Sequence, residues 1–110
     1  APTAIADSST IPSSVKLSGR FYNSDTTTTL DESERNFGGT VSTNIGLLTN
    51  LVFIDLSNNQ FRGKLPSEIG LLTNLISLKL SFNGFSSTLP SELGLLSKLI
   101  VLELSETNIR

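Results

Sequence analysis

A block of 24 residues is written twice in succession and then begun a third time. LVFIDLSNNQFRGKLPSEIGLLTN starts at Leu51, LISLKLSFNGFSSTLPSELGLLSK at Leu75, and LIVLELSETNIR at Leu99 runs for half a unit. Self-similarity at a fixed period of about 20–29 residues, with leucine at fixed offsets, belongs to solenoids. One coil cannot bury its apolar face alone, and stacking buries it against the next. Such stacks present a long strand face without an enclosed pocket, so the expected role is binding rather than chemistry.

The slots held by Leu51, Ile54 and Leu56 are held again by Leu75, Leu78 and Leu80, and by Leu99, Leu102 and Leu104. The fourth and sixth residues of a unit are two apart and share one face of a short strand. They predict an inward core, with adjacent parallel strands about 4.8 Å apart. Asn59 and Asn83, with Thr107 in the third unit, stand where the chain turns out of the strand. A buried Asn there satisfies backbone groups that the sheet leaves over. In the second half of the unit, the residue before Pro66 or Pro90 is pushed out of the helical region. Pro66-Ser67-Glu68 and Pro90-Ser91-Glu92 then predict the first turn of a short helix, with an acid near its positive end. Gly70 and Gly94 are expected to end those turns. The expected architecture is an α/β repeat solenoid, with a parallel β-sheet on the concave face and short helical or 3₁₀ turns on the convex face.

The pattern LxxLxLSxNxFxGxLPSEIGLLTN closely resembles the plant-type class of leucine-rich repeats, and the match runs from Phe37 to Arg110. That class is found in plant receptor-kinase ectodomains and in polygalacturonase-inhibiting proteins. The IGLLTN variant is also similar to secreted or surface repeat proteins of algae such as diatoms. The resemblance implies binding of proteins, peptides or glycans, and an extracellular or cell-surface location. It also implies a cysteine-containing cap ahead of the repeats. This chain has no cysteine, so its cap is expected to hold by packing alone.

Stepping back one period from Leu51, Phe37, Gly39, Val41, Ile45 and Leu48 match Phe61, Gly63, Leu65, Ile69 and Leu72. The strand half matches at Leu30 and Asp31 only, because Glu32 stands where Leu56 is apolar and Arg35 where Asn59 turns the chain. Residues 27–50 are therefore expected to form a degenerate capping repeat, as terminal repeats usually are. Residues 1–26 read as a polar, Ser/Thr-rich extension or as an eroded repeat, in which Ile11-Pro12-Ser13-Ser14-Val15 faintly echoes Leu65-Pro66-Ser67-Glu68-Ile69. Residues 51–74 and 75–98 are full repeats, and 99–110 is a truncated one. The start at Ala1-Pro2-Thr3, without Met, reads as a processed chain whose targeting segment is missing. The half unit at the other end suggests continuation beyond Arg110 or cover from another chain.

Composition narrows the function further. The net charge is −2 and the eight Lys and Arg are scattered, which argues against the clustered basic surface that nucleic acid requires. No apolar run approaches the roughly 18 residues of a membrane span. His and Cys are both absent, removing the commonest general base and the usual nucleophile–base pairs. Carboxylates on an open, wet face lack the desolvation that separates the pKa values of a working pair. Asp55 and Glu103 would flank Lys79, which repels a cation. No enzymatic activity, catalytic residue, metal or cofactor is expected.

Outward residues should form columns across the concave face: Val52, Ile76, Ile100; Phe53, Ser77, Val101; Asp55, Lys79, Glu103; Ser57, Ser81, Ser105; Asn58, Phe82, Glu106. The candidate partner-binding set is Phe53, Asp55, Asn58, Lys79, Phe82, Val101, Glu103 and Glu106. A partly exposed aromatic flanked by charges suits an interface anchor, and opposite charges on adjacent strands can register a partner as well as the sheet. The expected function is a non-catalytic interaction module that binds a protein, peptide or glycan through the concave face. The alternative is a structural or accessory subunit docked into a larger complex by its edge or flank.

Overall fold

Every 24 residues the chain makes one circuit: a three-residue strand, a second short strand, and a 3₁₀ turn. The computed structural model describes residues 14–17, 19–85, 89–105 and 107. In chain order the strands are β1 (Ser14–Leu17), β2 (Arg20–Asn23), β3 (Thr29–Asp31), β4 (Gly38–Gly39), β5 (Phe53–Asp55), β6 (Gln60–Gly63), β7 (Ser77–Lys79), β8 (Gly84–Phe85) and β9 (Val101–Glu103). Strands β3, β5, β7 and β9 form one parallel sheet, and β4, β6 and β8 form another. The register equates Leu30, Ile54, Leu78 and Leu102, each 24 residues from the next.

Stacking buries the repeated apolar slots of the inner coils. Leu51 and Leu75, Ile54 and Leu78, Ile69, Leu72, Leu80 and Phe85 all lose nearly all contact with solvent. The rings of Phe61 and Phe85 stack at 6.1 Å, and Phe37 is tilted against Phe61 at 6.3 Å, within the range for favourable ring pairs. One strand position is too short to exclude water on both faces, so the core exists only through repetition.

The turns Thr43–Leu47, Ser67–Leu71 and Ser91–Leu95 are 3₁₀ throughout. Pro66 and Pro90 stand just before their turns in extended conformation, φ −69° and −66°, one place earlier than the first-turn role the sequence suggests. Gly70 lies inside its turn rather than ending it, and is buried. A Cβ on Gly70 would fall 2.7 Å from Glu92 Cβ and 2.9 Å from the Glu92 carbonyl oxygen, and one on Gly46 would meet Glu68 equally closely. Glycine is required because adjacent coils approach to backbone distance there.

Residues 29–47 make a complete coil with both strands and the turn. The described part of 1–26 holds an antiparallel hairpin, β1 paired with β2, with a left-handed Gly19 in its bend at φ +80°. Val15 and Leu17 alternate with exposed Lys16 and are buried against the end of the stack. This period-two pattern sets two apolar residues of the hairpin into the core at the first coil. Residues 1–13, including the Ile11-Pro12-Ser13 echo, lie outside the described residues.

Glu32 departs most from the repeat. It occupies the inward slot of Leu56 and Leu80 and is 1% exposed. The Tyr22 hydroxyl, from β2, donates to Glu32 Oε2 at 2.5 Å. A buried carboxylate needs such a partner, and the hairpin supplies it.

Candidate functional site

The outward residues of the four-stranded sheet line a shallow groove of about 440 Å³. Thr29, Phe53, Ser77 and Val101 stand in register along one row, and Asp31, Asp55, Lys79 and Glu103 along a second. Phe53 is 49% exposed, and with Ile76 and Val101 it gives the groove an apolar side. Asp31, Asp55 and Glu103 set three carboxylates against the single ammonium of Lys79 on the other side.

The aspartates are held by their own loops. Asp31 Oδ1 accepts from the Ser33 amide at 3.1 Å and the Ser33 hydroxyl at 2.7 Å. Asp55 Oδ1 accepts in the same way from Ser57, at 3.0 and 2.5 Å. The bonds from Ser33 lower the pKa of Asp31 below the ordinary carboxylate value, since they favour the charged form. Asp31 and Asp55 are side by side, an arrangement that costs stability in an isolated sheet. Among the described residues neither Asp55 nor Glu103 closes an ion pair with Lys79, so the row presents its charges to solvent.

A third row lies where the chain leaves the strands. Glu34, Asn58 and Phe82 are spaced by 24 and all adopt left-handed backbone, with φ of 55°, 58° and 60°. Each amide donates to the coil that follows: Glu34 to Ser57 O, Asn58 to Ser81 O and Phe82 to Ser105 O, all at 3.0 Å. The next residue locks the bend. Asn59 Oδ1 accepts from the Arg35 and Phe37 amides, while its Nδ2 donates to Glu32 O and Leu56 O. Asn83 repeats this toward Phe61, Leu56 and Leu80. Thr107 keeps the bond to the residue three before it, Leu104 O, at 2.8 Å.

Of the candidate residues, Phe53, Asp55, Lys79, Val101 and Glu103 converge on the groove. Asn58 and Phe82 are exposed beside it in the third row, and Glu106 lies outside the described residues. Ser77 and Ser81 stand in the outward rows but are buried, because a short side chain sinks beneath longer neighbours; Ser81 Oγ also accepts from Ser105 Oγ at 3.1 Å. Asp31 and Thr29 belong to the groove and were missed, although Asp31 is one period before Asp55 and the spacing alone would have found it. On the turn side, Leu47, Leu71 and Leu95 form a second row of leucines, each more than half exposed. Among the described residues no cluster of His, Cys, Asp and Glu is arranged to hold a metal ion, and no helix is long and apolar enough to cross a membrane.

The family description Leucine Rich Repeat matches residues 50–72 and 74–96. Among solved structures, the BIR3–SERK2 complex from Arabidopsis thaliana aligns at 34% identity over 74% of this chain and 44% of that one, with a TM-score of 0.71. The ectodomain of the Arabidopsis thaliana receptor kinase GASSHO1/SCHENGEN3, in complex with CASPARIAN STRIP INTEGRITY FACTOR 2, aligns at 36% identity over 74% of this chain and 10% of that one, with a TM-score of 0.73. The Arabidopsis receptor kinase HAESA, in complex with the peptide hormone IDA and the co-receptor SERK1, aligns at 37% identity over 63% and 12%, with a TM-score of 0.60. This chain therefore spans less than half the length of each. No curated protein sequence matches it significantly.

Proposed function

Because this chain is a leucine-rich-repeat protein of the plant type, we propose that it is a non-catalytic extracellular binding module whose concave groove takes a peptide or protein partner. The single observation that carries this reading is the groove itself. Its part-exposed apolar side, Phe53, Ile76 and Val101, stands beside a row in which three carboxylates face one ammonium and, among the described residues, Lys79 closes no ion pair. An anchoring aromatic within a charged rim is the arrangement that concentrates binding energy at interfaces. The similar HAESA and GASSHO1/SCHENGEN3 ectodomains were solved with a peptide hormone and with CASPARIAN STRIP INTEGRITY FACTOR 2, which supports the same use of this fold.

The exposed row Leu47, Leu71 and Leu95 favours a second reading, docking by the flank into a larger assembly. Cross-linking mass spectrometry on the native preparation separates the two. Links from Lys79, which lines the groove, together with loss of the partner in Phe53→Ala, are expected for the concave reading. Links confined to Lys98, with loss in Leu71→Ala instead, would replace it with the flank reading.

A further inference from the structure

Phe82 stands in the wrong place for a phenylalanine. Its backbone is left-handed, φ +60°, a region that Asn tolerates and a bulky side chain rarely enters. The conformation is not optional, since Asn58 and Glu34 adopt it one and two coils earlier and all three amides make the same bond to the following coil. Nor is the ring recovered by burial, for it is 53% exposed. Asn, already present at the equivalent position 58, would satisfy the fold at lower cost. Neither folding nor packing accounts for the aromatic, and an outlier of this kind points toward function.

Resting on the concave-face reading above, we propose that Phe82 is an anchoring side chain of that face and that it grips a cationic, extended segment of a partner protein. Charge decides the nature of the segment. Asp31, Glu34, Asp55 and Glu103 outnumber Lys79 and the neighbouring Arg35 on the described part of the face. Arginine or lysine on the segment can lie over the exposed ring while its charge meets those carboxylates. The segment's apolar residues then lie along Phe53, Ile76 and Val101.

The test pans a degenerate peptide library, displayed on phage, against the 110-residue chain, and then measures selected peptides in solution by fluorescence anisotropy. Enriched sequences are expected to carry Arg and Lys beside apolar residues. Phe82→Asn is expected to raise the thermal midpoint by about 5 °C through relief of strain, and to weaken the selected peptides roughly tenfold or more. Phe82→Leu, which keeps the strained backbone and lacks the ring, is expected to weaken binding without raising the midpoint. Enrichment of acidic peptides would overturn the assigned partner charge. Unchanged affinity in Phe82→Asn, with affinity lost in Phe53→Ala, would remove Phe82 as an anchor and leave the groove reading standing. A midpoint that fails to rise would remove the backbone argument. A library yielding nothing above background would sink both readings.

Discussion

Asn83 shows how much of this fold rests on single side chains. Its carbonyl oxygen accepts from the Phe61 amide, and its amide nitrogen donates to Leu56 O and Leu80 O. One residue thus satisfies backbone groups of two coils at a bend where no sheet partner exists. Gly70 has the same importance for a steric reason. Gly70→Ala places a methyl against Glu92 Cβ and the Glu92 carbonyl, both under 3.0 Å, and is expected to cost about 1–3 kcal/mol in urea unfolding. Gly94→Ala meets nothing within 4 Å and is expected to change stability by less than about 0.5 kcal/mol. Equal effects of the two substitutions would contradict close coil approach as the reason for glycine.

Among elements, the hairpin β1–β2 holds the first coil by packing and by polar bonds, Tyr22 to Glu32 and Asn44 Nδ2 to Lys16 O. Burial, and next the hydrogen bond to Glu32, push the Tyr22 pKa from 10.0 up to about 12. A phenol whose pKa is raised on folding binds its proton more tightly when folded. Its contribution is complete below pH 10 and is lost as pH rises through about 12. Tyr22 is the only tyrosine in the chain, so tyrosinate absorbance reports this residue alone. The folded protein is expected to titrate near 12, and urea-unfolded protein near 10. Tyr22→Phe leaves the buried Glu32 carboxylate without its phenol donor and should destabilise by about 1–3 kcal/mol. Titration near 10 in the folded state would show that the bond is not formed.

At the scale of the molecule, stability is a sum over neighbouring coils, so equivalent leucines are not equal. Leu78 has coils on both sides and is fully buried, whereas Leu102 in the same register slot is 40% exposed. Leu78→Ala is expected to cost about 2–5 kcal/mol, and Leu102→Ala less than half as much, compared by urea midpoints. Comparable losses would mean that the last coil is covered in solution. The same open, regular stacking gives the concave face its shape, because each coil adds one residue to every row.

The period of 24 by itself determined the solenoid, the inward leucines, the Asn ladder and the rows of the groove. Those properties follow from residues repeating at fixed offsets, which stacking alone places in register. Tertiary structure decided what the repeat does not encode. Glu32 breaks the pattern, and only the folded hairpin reveals why a carboxylate is tolerated at an inward slot: Tyr22 reaches it from ten residues away. Ser77 and Ser81 read as outward by alternation, yet side-chain length relative to neighbours buries them. Phe82 was visible as an aromatic on the face, but its left-handed backbone and its amide's hydrogen bond to Ser105 on the next coil were not. A sequence specifies periodic contacts directly, whereas strain and burial depend on which neighbour arrives in space.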